Sequence, residues 1–454
     1  TRDGDEVTAS ITDGDVDPAS GALQVRSSVA GDLTGVASVT DNALLAQARG
    51  LQATNSISVD IADSGDGASM AVGSVQVTDG AAGNPITAEV NPGSDADAAR
   101  ILVEVGGSAT GTVANDRNTV QAAGLANLAT NTASMVATGS IAGGTDEFLQ
   151  IQDDQDIEAP GAIALVGNGQ RATTAVNATI DNLDVETTIT GALNGVASVE
   201  GNALGADARN NYAVNSLVLD AGNEVSANAQ LANTQRATDT ATLTSAINSA
   251  NSADGRIGFT GDGDVTGTVR VDGNSAQASV VSNQAINEMA VSGATLAVSD
   301  GGAANAGSVP ATLARTAGVA DFVALNSQEN AAGVNSSVAS FEVSAVLGDG
   351  DDAVSGTASV SGNAIGAFSA ANIASNTLTL DAAGNARADA VLASFQTNTG
   401  AVFAQVSNAS VSMTSSGATA SGTFAVGGNR ISATAQGNVA SSSLRGAGSS
   451  FSNR

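Results

Sequence analysis

The residues of this sequence that could do chemistry are aspartates set among glycines. Asp262 and Asp264 lie in the stretch "GDGD", and Asp349, Asp351 and Asp352 lie in "GDGDD". Carboxylate oxygens at this spacing are the ligands that Ca²⁺ prefers. The five aspartates are therefore candidate calcium ligands, and calcium is the one cofactor that the sequence suggests. The alternative is that both clusters form solvated acidic turns.

Three missing residue types exclude most other catalytic chemistry. The chain has no His and no Cys, and all 15 basic residues are Arg. A Ser-His-Asp triad, a thiolate nucleophile, a Schiff base and an imidazole-ligated zinc site are therefore impossible. Paired carboxylates acting on a glycosidic bond remain as an alternative, although sugar sites often use aromatic side chains and only 2% of the residues are aromatic. We expect a protein that is not an enzyme.

The net charge limits the possible partners. There are 45 acidic residues against 15 basic ones, so the formal charge is −30. Such a chain repels phosphate backbones and anionic membranes, and we expect no nucleic acid partner. No segment approaches the roughly 18 apolar residues that a transmembrane helix needs. We therefore expect no membrane insertion.

One phrase occurs six times, and asparagines mark each copy. Three full copies and three weaker copies alternate along the chain. The two asparagines of a copy are 13 positions apart, except in the last copy, which has only the first. They are Asn42 and Asn55, Asn118 and Asn131, Asn202 and Asn215, Asn274 and Asn287, Asn363 and Asn376, and Asn429.

The local pattern inside each copy is that of β-strands. Segments such as "GTVRV" and "NTLTLD" are short, rich in β-branched residues and alternating, and "SGN" or "DGN" separate them as turns. The sequence predicts an all-β fold, a parallel β-solenoid in which each coil stacks on the last. Tandem β-sandwiches are the alternative. If the 13-residue step covers strand, corner and strand, a coil takes roughly 20 to 30 residues, and the chain forms a rod about 70–110 Å long.

Asparagine suits the corners of such a coil for two reasons. It tolerates the left-handed backbone of a tight turn, and its side-chain amide can hydrogen-bond the asparagine of the next coil in a ladder. We therefore predict that all eleven asparagines are structural turn residues.

The spacing of the copies predicts three tandem modules of about 160 residues. The full copies are 160 and 161 positions apart, and each is followed by one weaker copy. The predicted modules are residues 1–160, residues 161–321 and residues 322–454, the last one shortened at its C-terminal end.

The short β segments broken by "GN", followed by "A-x-A-x-x-N" and "N-S-L", resemble those of repeat-rich surface proteins of alphaproteobacteria. Among these, the phrases are most similar to the holdfast anchor family, which attaches an adhesive polysaccharide to the cell envelope. The resemblance covers the six phrases only. It implies a structural role without catalytic residues, and a surface polysaccharide as a partner.

These observations together favour an extracellular structural protein, a subunit of a cell-surface fibre or adhesive matrix. The alternatives are a secreted carbohydrate-active β-helix with paired carboxylates and a calcium-organised surface-layer or adhesin segment. The N-terminal stretch has neither a basic nor an apolar signal region. For an exported protein, we therefore expect that a leader has been removed.

The third module is short, and this predicts self-association. A solenoid cut within a module exposes unpaired backbone groups that attract another strand. The first 20 or so residues include a short alternating segment, "EVTASI", outside any complete phrase. We expect a head-to-tail homopolymer in which these residues complete the final coils of the next copy.

Overall fold

The chain is a parallel β-solenoid of six coils, which confirms the predicted fold class. The computed structural model describes residues 2–3, 6–11, 23–79, 84–91, 99–143, 148–151, 157–160, 162–248, 255–297 and 320–447. All regular elements in these ranges are strands, and no helix there could span a membrane. Neighbouring coils pair in parallel, so the alternative of tandem sandwiches is wrong.

The first three coils contain six strands each, and a hairpin of β13 and β14 lies between the second and the third. Coil 1 consists of β1 (Arg2–Asp3), β2 (Val7–Ile11), β3 (Gln24–Val29), β4 (Val36–Thr40), β5 (Ala43–Ile61) and β6 (Gly65–Asp66). Coil 2 consists of β7 (Met70–Thr78), β8 (Ile86–Val90), β9 (Ala99–Val105), β10 (Thr112–Asp116), β11 (Thr119–Ala137) and β12 (Ile141–Gly143), and the hairpin of β13 (Phe148–Ile151) and β14 (Ile157–Pro160). Coil 3 consists of β15 (Ala164–Ala172), β16 (Val176–Ile180), β17 (Leu183–Ile189), β18 (Val196–Glu200), β19 (Ala203–Ala221) and β20 (Glu224–Ala227).

Coil 4 repeats this order, whereas coils 5 and 6 have a short fourth strand and no equivalent of β6. Coil 4 consists of β21 (Ala229–Ala237), β22 (Leu243–Ile247), β23 (Gly255–Gly261), β24 (Thr268–Asp272), β25 (Ser275–Gly293) and β26 (Thr295–Leu296). Coil 5 consists of β27 (Phe322–Asn330), β28 (Val334–Ala339), β29 (Phe341–Leu347), β30 (Ala353–Val354), β31 (Thr357–Ser361) and β32 (Ala364–Ala382). Coil 6 consists of β33 (Ala390–Asn398), β34 (Val402–Ser407), β35 (Ser410–Ser415), β36 (Thr419–Ala420), β37 (Thr423–Gly427) and β38 (Arg430–Ala447).

Equivalent strands of successive coils form the walls of the solenoid, which we name A to F in the order of the chain. Wall A contains β1, β7, β15, β21, β27 and β33, wall B contains β2, β8, β16, β22, β28 and β34, and wall C contains β3, β9, β17, β23, β29 and β35. Wall D contains β4, β10, β18, β24, β31 and β37, and wall E contains the long strands β5, β11, β19, β25, β32 and β38. Wall F contains β6, β12, β20 and β26, and β30 pairs with β36 at the corner between walls C and D.

Each coil is about three times longer than the sequence predicted. Asparagines stacked directly on one another are 76, 84, 72, 89 and 66 residues apart. The predicted coil of 20 to 30 residues is therefore wrong, and so is the long rod, because six strands about 4.8 Å apart span only about 24 Å. The 13-residue step runs from the corner before wall E into the wall E strand of the same coil. The three predicted modules remain a prediction, since the repeating unit here is the single coil.

The interior is divided into two apolar compartments. Walls B, C and D and the first half of wall E enclose the larger one, which includes Phe259 and Phe341. The second half of wall E, wall F and the start of wall A enclose the smaller one, which includes Met135 and Phe322. Wall E bends between its halves, where pairing skips one residue per coil and resumes at Asn127.

A column of glycines lets the coils approach each other at the corner between walls C and D. A Cβ atom at Gly111 would lie 1.8 Å from the Gly35 carbonyl oxygen, and one at Gly195 would lie 2.0 Å from that of Gly111. The same contact recurs at Gly267, Gly356 and Gly422. A side chain at these positions would force the stacked backbones apart. The glycine that opens each copy of the phrase is therefore a stacking requirement.

Candidate functional site: the amide ladders and the two open ends

The first asparagine of every copy lies at the corner between walls D and E, as predicted. The six residues stack directly, and each Nδ2 donates to the Oδ1 of the next coil at 2.9–3.1 Å. The left-handed residue of the corner is the one before the asparagine, for example Asp41 or Gly201. The ladder is thus confirmed, whereas the left-handed conformation belongs to the neighbouring residue. The ladder consists of Asn42, Asn118, Asn202, Asn274, Asn363 and Asn429.

The second asparagine of each copy is not a turn residue. Asn55, Asn131, Asn215, Asn287 and Asn376 lie inside the long strands of wall E. The prediction of corners is wrong for these five, because a wall E strand continues past them for several more residues. Their side chains nevertheless form a ladder, with Nδ2 to Oδ1 distances of 2.8–3.0 Å between successive coils.

Three further ladders were missed by the sequence analysis. One follows the bend of wall E through Asn127, Asn211, Asn283, Asn372 and Asn438, at 2.7–2.8 Å per step. Two lie on wall A, where the first contains Ser74, Asn168, Asn233, Asn326 and Ser394 and the second contains Gln76, Gln170, Gln235, Gln328 and Gln396. A recurring pattern in the sequence does mark the two wall A ladders. It is "NTQ" in "LANTQRA", "NGQ" in "LVGNGQRA" and "NSQ" in "ALNSQEN", in which one residue separates an Asn from a Gln.

These ladders form a polar spine between the two apolar compartments. Asn131 Nδ2 donates to Ser74 Oγ across the interior at 3.1 Å, and Gln170 Nε2 donates to the Tyr212 carbonyl oxygen at 3.0 Å. Buried amides are stable only when such bonds are made. The spine therefore fixes the register of every coil against its neighbours.

The corner ladder has a direction. Asn202 Nδ2 also donates to the Asn115 carbonyl oxygen at 2.8 Å, and the equivalent bond recurs at Asn274, Asn363 and Asn429. Because a carbonyl oxygen accepts only from the nitrogen end of the amide, these bonds fix which atom faces which neighbour. Between the asparagine side chains, each Nδ2 donates toward coil 6 and each Oδ1 accepts from the coil 1 side. Among the described residues, Asn42 Oδ1 has no donor.

Coil 6 exposes side chains that occupy core positions in the other coils. Phe424, Val426, Ile431 and Leu444 are 38%, 52%, 48% and 54% exposed. Their register partners in coil 5 are buried residues, for example Ile365 opposite Ile431. Among the described residues, no strand covers this side of coil 6, so these apolar side chains are exposed there.

Coil 1 is the opposite end, and its N-terminal strands belong to it. Val7–Ile11 pairs with Ile86–Val90 of the same chain. The expectation that these residues act as a free arm is therefore wrong, because they already form the coil 1 strand of wall B. The stretch 12–20 of the predicted arm lies outside the described residues.

The calcium candidates meet at one corner, in adjacent coils. Asp262 and Asp264 lie between walls C and D in coil 4, and Asp349, Asp351 and Asp352 lie there in coil 5. Two of their carboxylates accept backbone hydrogen bonds, Asp264 from the amide of Ala353 at 2.7 Å and Asp352 from that of Asp349 at 2.9 Å. In the part of the chain that the structure describes, no group of three acidic side chains is arranged to hold a metal ion. Calcium stays a prediction.

A pair of carboxylates does occur on the outer surface of wall C. Burial, and after it the charge of Glu186, raise the pKa of Asp184 to about 6. Arg256 Nη1 donates to Glu186 Oε1 at 3.0 Å. The Glu186 carboxylate is therefore held in an ion pair.

A shallow depression lies on the outer surface of the first half of wall E. Gln277, Gly366, Phe368 and Arg430 line it, together with the hydroxyl groups of neighbouring residues. An aromatic ring, an amide and a guanidinium group around one depression are groups that can contact a sugar.

Comparison with known proteins adds no relative. No family model matches the chain, and neither a curated protein nor a solved structure does.

Proposed function

We propose that this protein is a non-enzymatic structural subunit of an extracellular fibre or adhesive matrix at the cell surface, and that it polymerises head to tail. Coil 6 of one copy stacks on coil 1 of the next. The single observation that carries this proposal is the complementarity of the two end coils in shape, charge and hydrogen-bond direction.

The shapes match because both ends are cross-sections of the same solenoid. Walls B to E have strands of 5, 6, 5 and 19 residues in coil 1, and of 6, 6, 5 and 18 residues in coil 6. A copy stacked in register would continue the parallel pairing in all four walls. The exposed core residues of coil 6 would then be covered, which supplies the hydrophobic driving force.

The charges of the two ends are opposite. Residues 390–454 contain no Asp or Glu and three arginines, a net charge of +3, although the whole chain carries −30. Residues 1–66 contain eleven acidic residues and three arginines, a net charge of −8. Complementary potentials steer two such surfaces together and disfavour contact between like ends.

The corner ladder selects the same arrangement. At the coil 6 end, Asn429 Nδ2 has donated one hydrogen to the Val360 carbonyl oxygen, and its second hydrogen faces outward. At the coil 1 end, Asn42 presents an acceptor oxygen. Head-to-tail stacking brings this donor to this acceptor, whereas stacking of two coil 6 ends would bring donor to donor.

Composition supports the proposed placement outside the cell. The chain is acidic, has no Cys and no Lys, and is rich in small and polar residues, a composition typical of bacterial surface and secreted proteins. A calcium-organised variant of the same fibre remains open at the aspartate corner, where cations would also screen the net charge.

A surface polysaccharide is the second partner in this proposal, and the depression on wall E supports it. Phe368 is the aromatic side chain of that depression. The Phe368→Ala chain should be retained less well than the unchanged chain on immobilised surface polysaccharide. Equal retention would count against a glycan partner at this place.

Gly35→Ala tests the assembly without disturbing the fold. Nothing lies within 4 Å of a Cβ built on Gly35, because its outer side is the open end. In the stacked polymer, that Cβ would meet the Gly422 carbonyl oxygen of the neighbouring copy, as the Cβ at Gly195 meets Gly111 at 2.0 Å. We expect an unchanged melting temperature and a loss of filaments in electron micrographs.

Gly205→Ala is the matched control, because a Cβ there also meets nothing within 4 Å but lies on a side wall. This chain should melt and polymerise like the original. Filaments of normal length from Gly35→Ala would overturn the head-to-tail proposal.

A further inference from the structure

The depression on the first half of wall E contains an arginine without a counter-charge. Several arginines of the chain are held in ion pairs, for example Arg209 with Asp207 and Arg256 with Glu186. The guanidinium group of Arg430 is exposed, and among the described residues it has neither an acidic partner nor a side-chain hydrogen bond. Its five N–H donors are therefore available to a ligand.

The strands that surround Arg430 contain no acidic residue. Residues 273–287, 353–380 and 390–454 supply this part of coils 4, 5 and 6, and none of them is Asp or Glu. The charge of more distant parts of the chain is screened beyond roughly 8 Å at physiological ionic strength. An anionic group can therefore approach the depression although the whole chain carries −30.

The acidic side chains of the adjacent strands already have partners. Asp272, at the end of the coil 4 strand of wall D, accepts from Ser359 Oγ at 2.9 Å. Asp207, in the coil 3 strand of wall E, accepts from Arg209 Nε at 2.9 Å. These two carboxylates are thus bonded within the chain, and neither is paired with the guanidinium group of the depression.

Phe368 and Arg430 are far enough apart to contact two parts of one ligand. Arg430 pairs in register with Ala364, so it lies four residues along the strand and one coil away from Phe368. The two Cα atoms are therefore about 14 Å apart, with Gly366 and Ser432 between them. The depression has a volume of about 370 Å³, within the range of roughly 300–1,000 Å³ for small-molecule sites. One or two sugar rings fit between the aromatic and the guanidinium group.

We propose that this depression binds a uronate unit of an acidic polysaccharide. The carboxylate of the sugar accepts two parallel hydrogen bonds from Arg430, the geometry that a guanidinium group provides and an ammonium group does not. The sugar ring packs against Phe368, and its hydroxyl groups bond to Ser279 and Thr434, which also line the depression. The inference rests on the polysaccharide partner proposed above and names the chemical class of that partner.

Calorimetry of the full chain with two probes tests the inference. The probes are a hexamer of galacturonate and its full methyl ester, which has the same sugar rings without the charge. The acid should bind at least about tenfold more tightly than the ester. Arg430→Gln should weaken the acid about tenfold or more and leave the ester unchanged, and Arg430→Lys should restore only part of the loss.

Arg445→Gln is the matched control. Arg445 lies on the same strand as Arg430 and has no ion pair among the described residues, but it belongs to the second half of wall E. This variant loses the same charge and should bind both probes like the unchanged chain. Equal melting temperatures of the Arg430→Gln and Arg445→Gln chains would show that both are folded.

Equal affinities for the acid and the ester would overturn the inference, and so would an undiminished affinity of Arg430→Gln for the acid. If Phe368→Ala still weakens both probes in that case, the polysaccharide partner stands and only its acidity is wrong. If neither probe binds, the inference is wrong, and retention of Phe368→Ala on immobilised surface polysaccharide decides the polysaccharide partner separately. Loss of filaments in Arg430→Gln with unchanged affinity would mean that Arg430 contacts the next copy, which also overturns the inference.

Discussion

Coil 1 and coil 6 are built from the same walls, yet they present opposite surfaces to solvent. Coil 6 exposes Ile431 and Leu444 at core positions and lies in a segment without acidic residues. Coil 1 keeps most of its inward side chains partly buried, as at Val7 and Leu44, and a few fully buried, as at Ala46 and Ala48, and it lies in a strongly acidic segment. The two end coils therefore differ in apolar exposure and in charge, the two properties on which the proposed coil-to-coil junction depends.

The comparison between interior and end is sharpest at the corner ladder. Asn202 is fully buried, donates to the Asn115 carbonyl oxygen and to Asn274, and accepts from the backbone and side-chain amides of Asn118. Asn202→Val leaves these partners unsatisfied and should lower the free energy of unfolding by roughly 3–5 kcal/mol.

Asn42→Val is its counterpart at the open end, where Asn42 is only partly buried. Asn42 donates to the Thr40 carbonyl oxygen and to Asn118 Oδ1. Asn42→Val should therefore lower the free energy of unfolding by about 1 kcal/mol. Urea denaturation of monomeric protein measures both. Equal losses at the two positions would mean that the ladder contributes no more in the interior than at an edge.

The glycine column gives a second comparison of interior and end. Gly195→Ala should cost about 3 kcal/mol or more, because the added Cβ lies 2.0 Å from the Gly111 carbonyl oxygen. Gly35→Ala should change the free energy of unfolding of the monomer by less than about 0.5 kcal/mol. Thermal melts of the two chains at equal dilution compare these losses of stability. A large loss of stability in Gly35→Ala would show that coil 1 is already covered.

A pH-dependent effect is expected on the side wall, at Asp184. Its pKa is raised in the folded protein, from 3.8 to about 6, so folding favours the protonated carboxyl. The contribution of this group to stability is greatest below pH 3.8, falls as the pH rises, and is least above pH 6. Asp184→Asn should therefore stabilise the protein at pH 7 by about 1–3 kcal/mol and have little effect at pH 3.5.

Asp220→Asn is the control, because Asp220 is exposed on wall E. Its effect should be small at both pH values. Melting temperatures measured from pH 3.5 to 7.5 give the profile. A stabilisation by Asp184→Asn that does not depend on pH would mean that burial does not perturb this carboxyl.

The solenoid and its ladder could be predicted because a stacked repeat places like residues on each other. The alternating segments and the recurring asparagines were enough to predict that Asn42 and its equivalents form a ladder at a corner. The length of the coil could not be predicted, since a strand of 19 residues that only bends at Asn127 has the same pattern as two strands joined by a corner. The Asn127 ladder was hidden because coil 1 has Leu51 in its place.

The ends escaped sequence analysis for a different reason. Ile431 and Leu444 have the same residue types as the buried core, and only the register shows that no coil within the described ranges covers them. The free N-terminal arm was predicted from "EVTASI", whose alternation is that of any strand. Pairing of Val7–Ile11 with Ile86–Val90 uses this segment inside its own chain.

An engineered disulfide tests the head-to-tail junction most directly, because the chain contains no Cys. Ser28 and Thr414 occupy the same outward column of wall C in coils 1 and 6, five coils apart in one chain. Stacking of coil 6 on coil 1 brings the two positions onto adjacent strands. Their Cα atoms then lie within the range of roughly 4.4–6.8 Å that a disulfide can bridge.

The Ser28→Cys, Thr414→Cys chain should form a ladder of covalent oligomers on a non-reducing gel after mild oxidation. A Ser38→Cys, Thr414→Cys chain, with its cysteines on different walls, should form none. Oligomers that appear equally in both chains, or only monomers from the first chain while filaments are present, would contradict the stacking of coil 6 on coil 1.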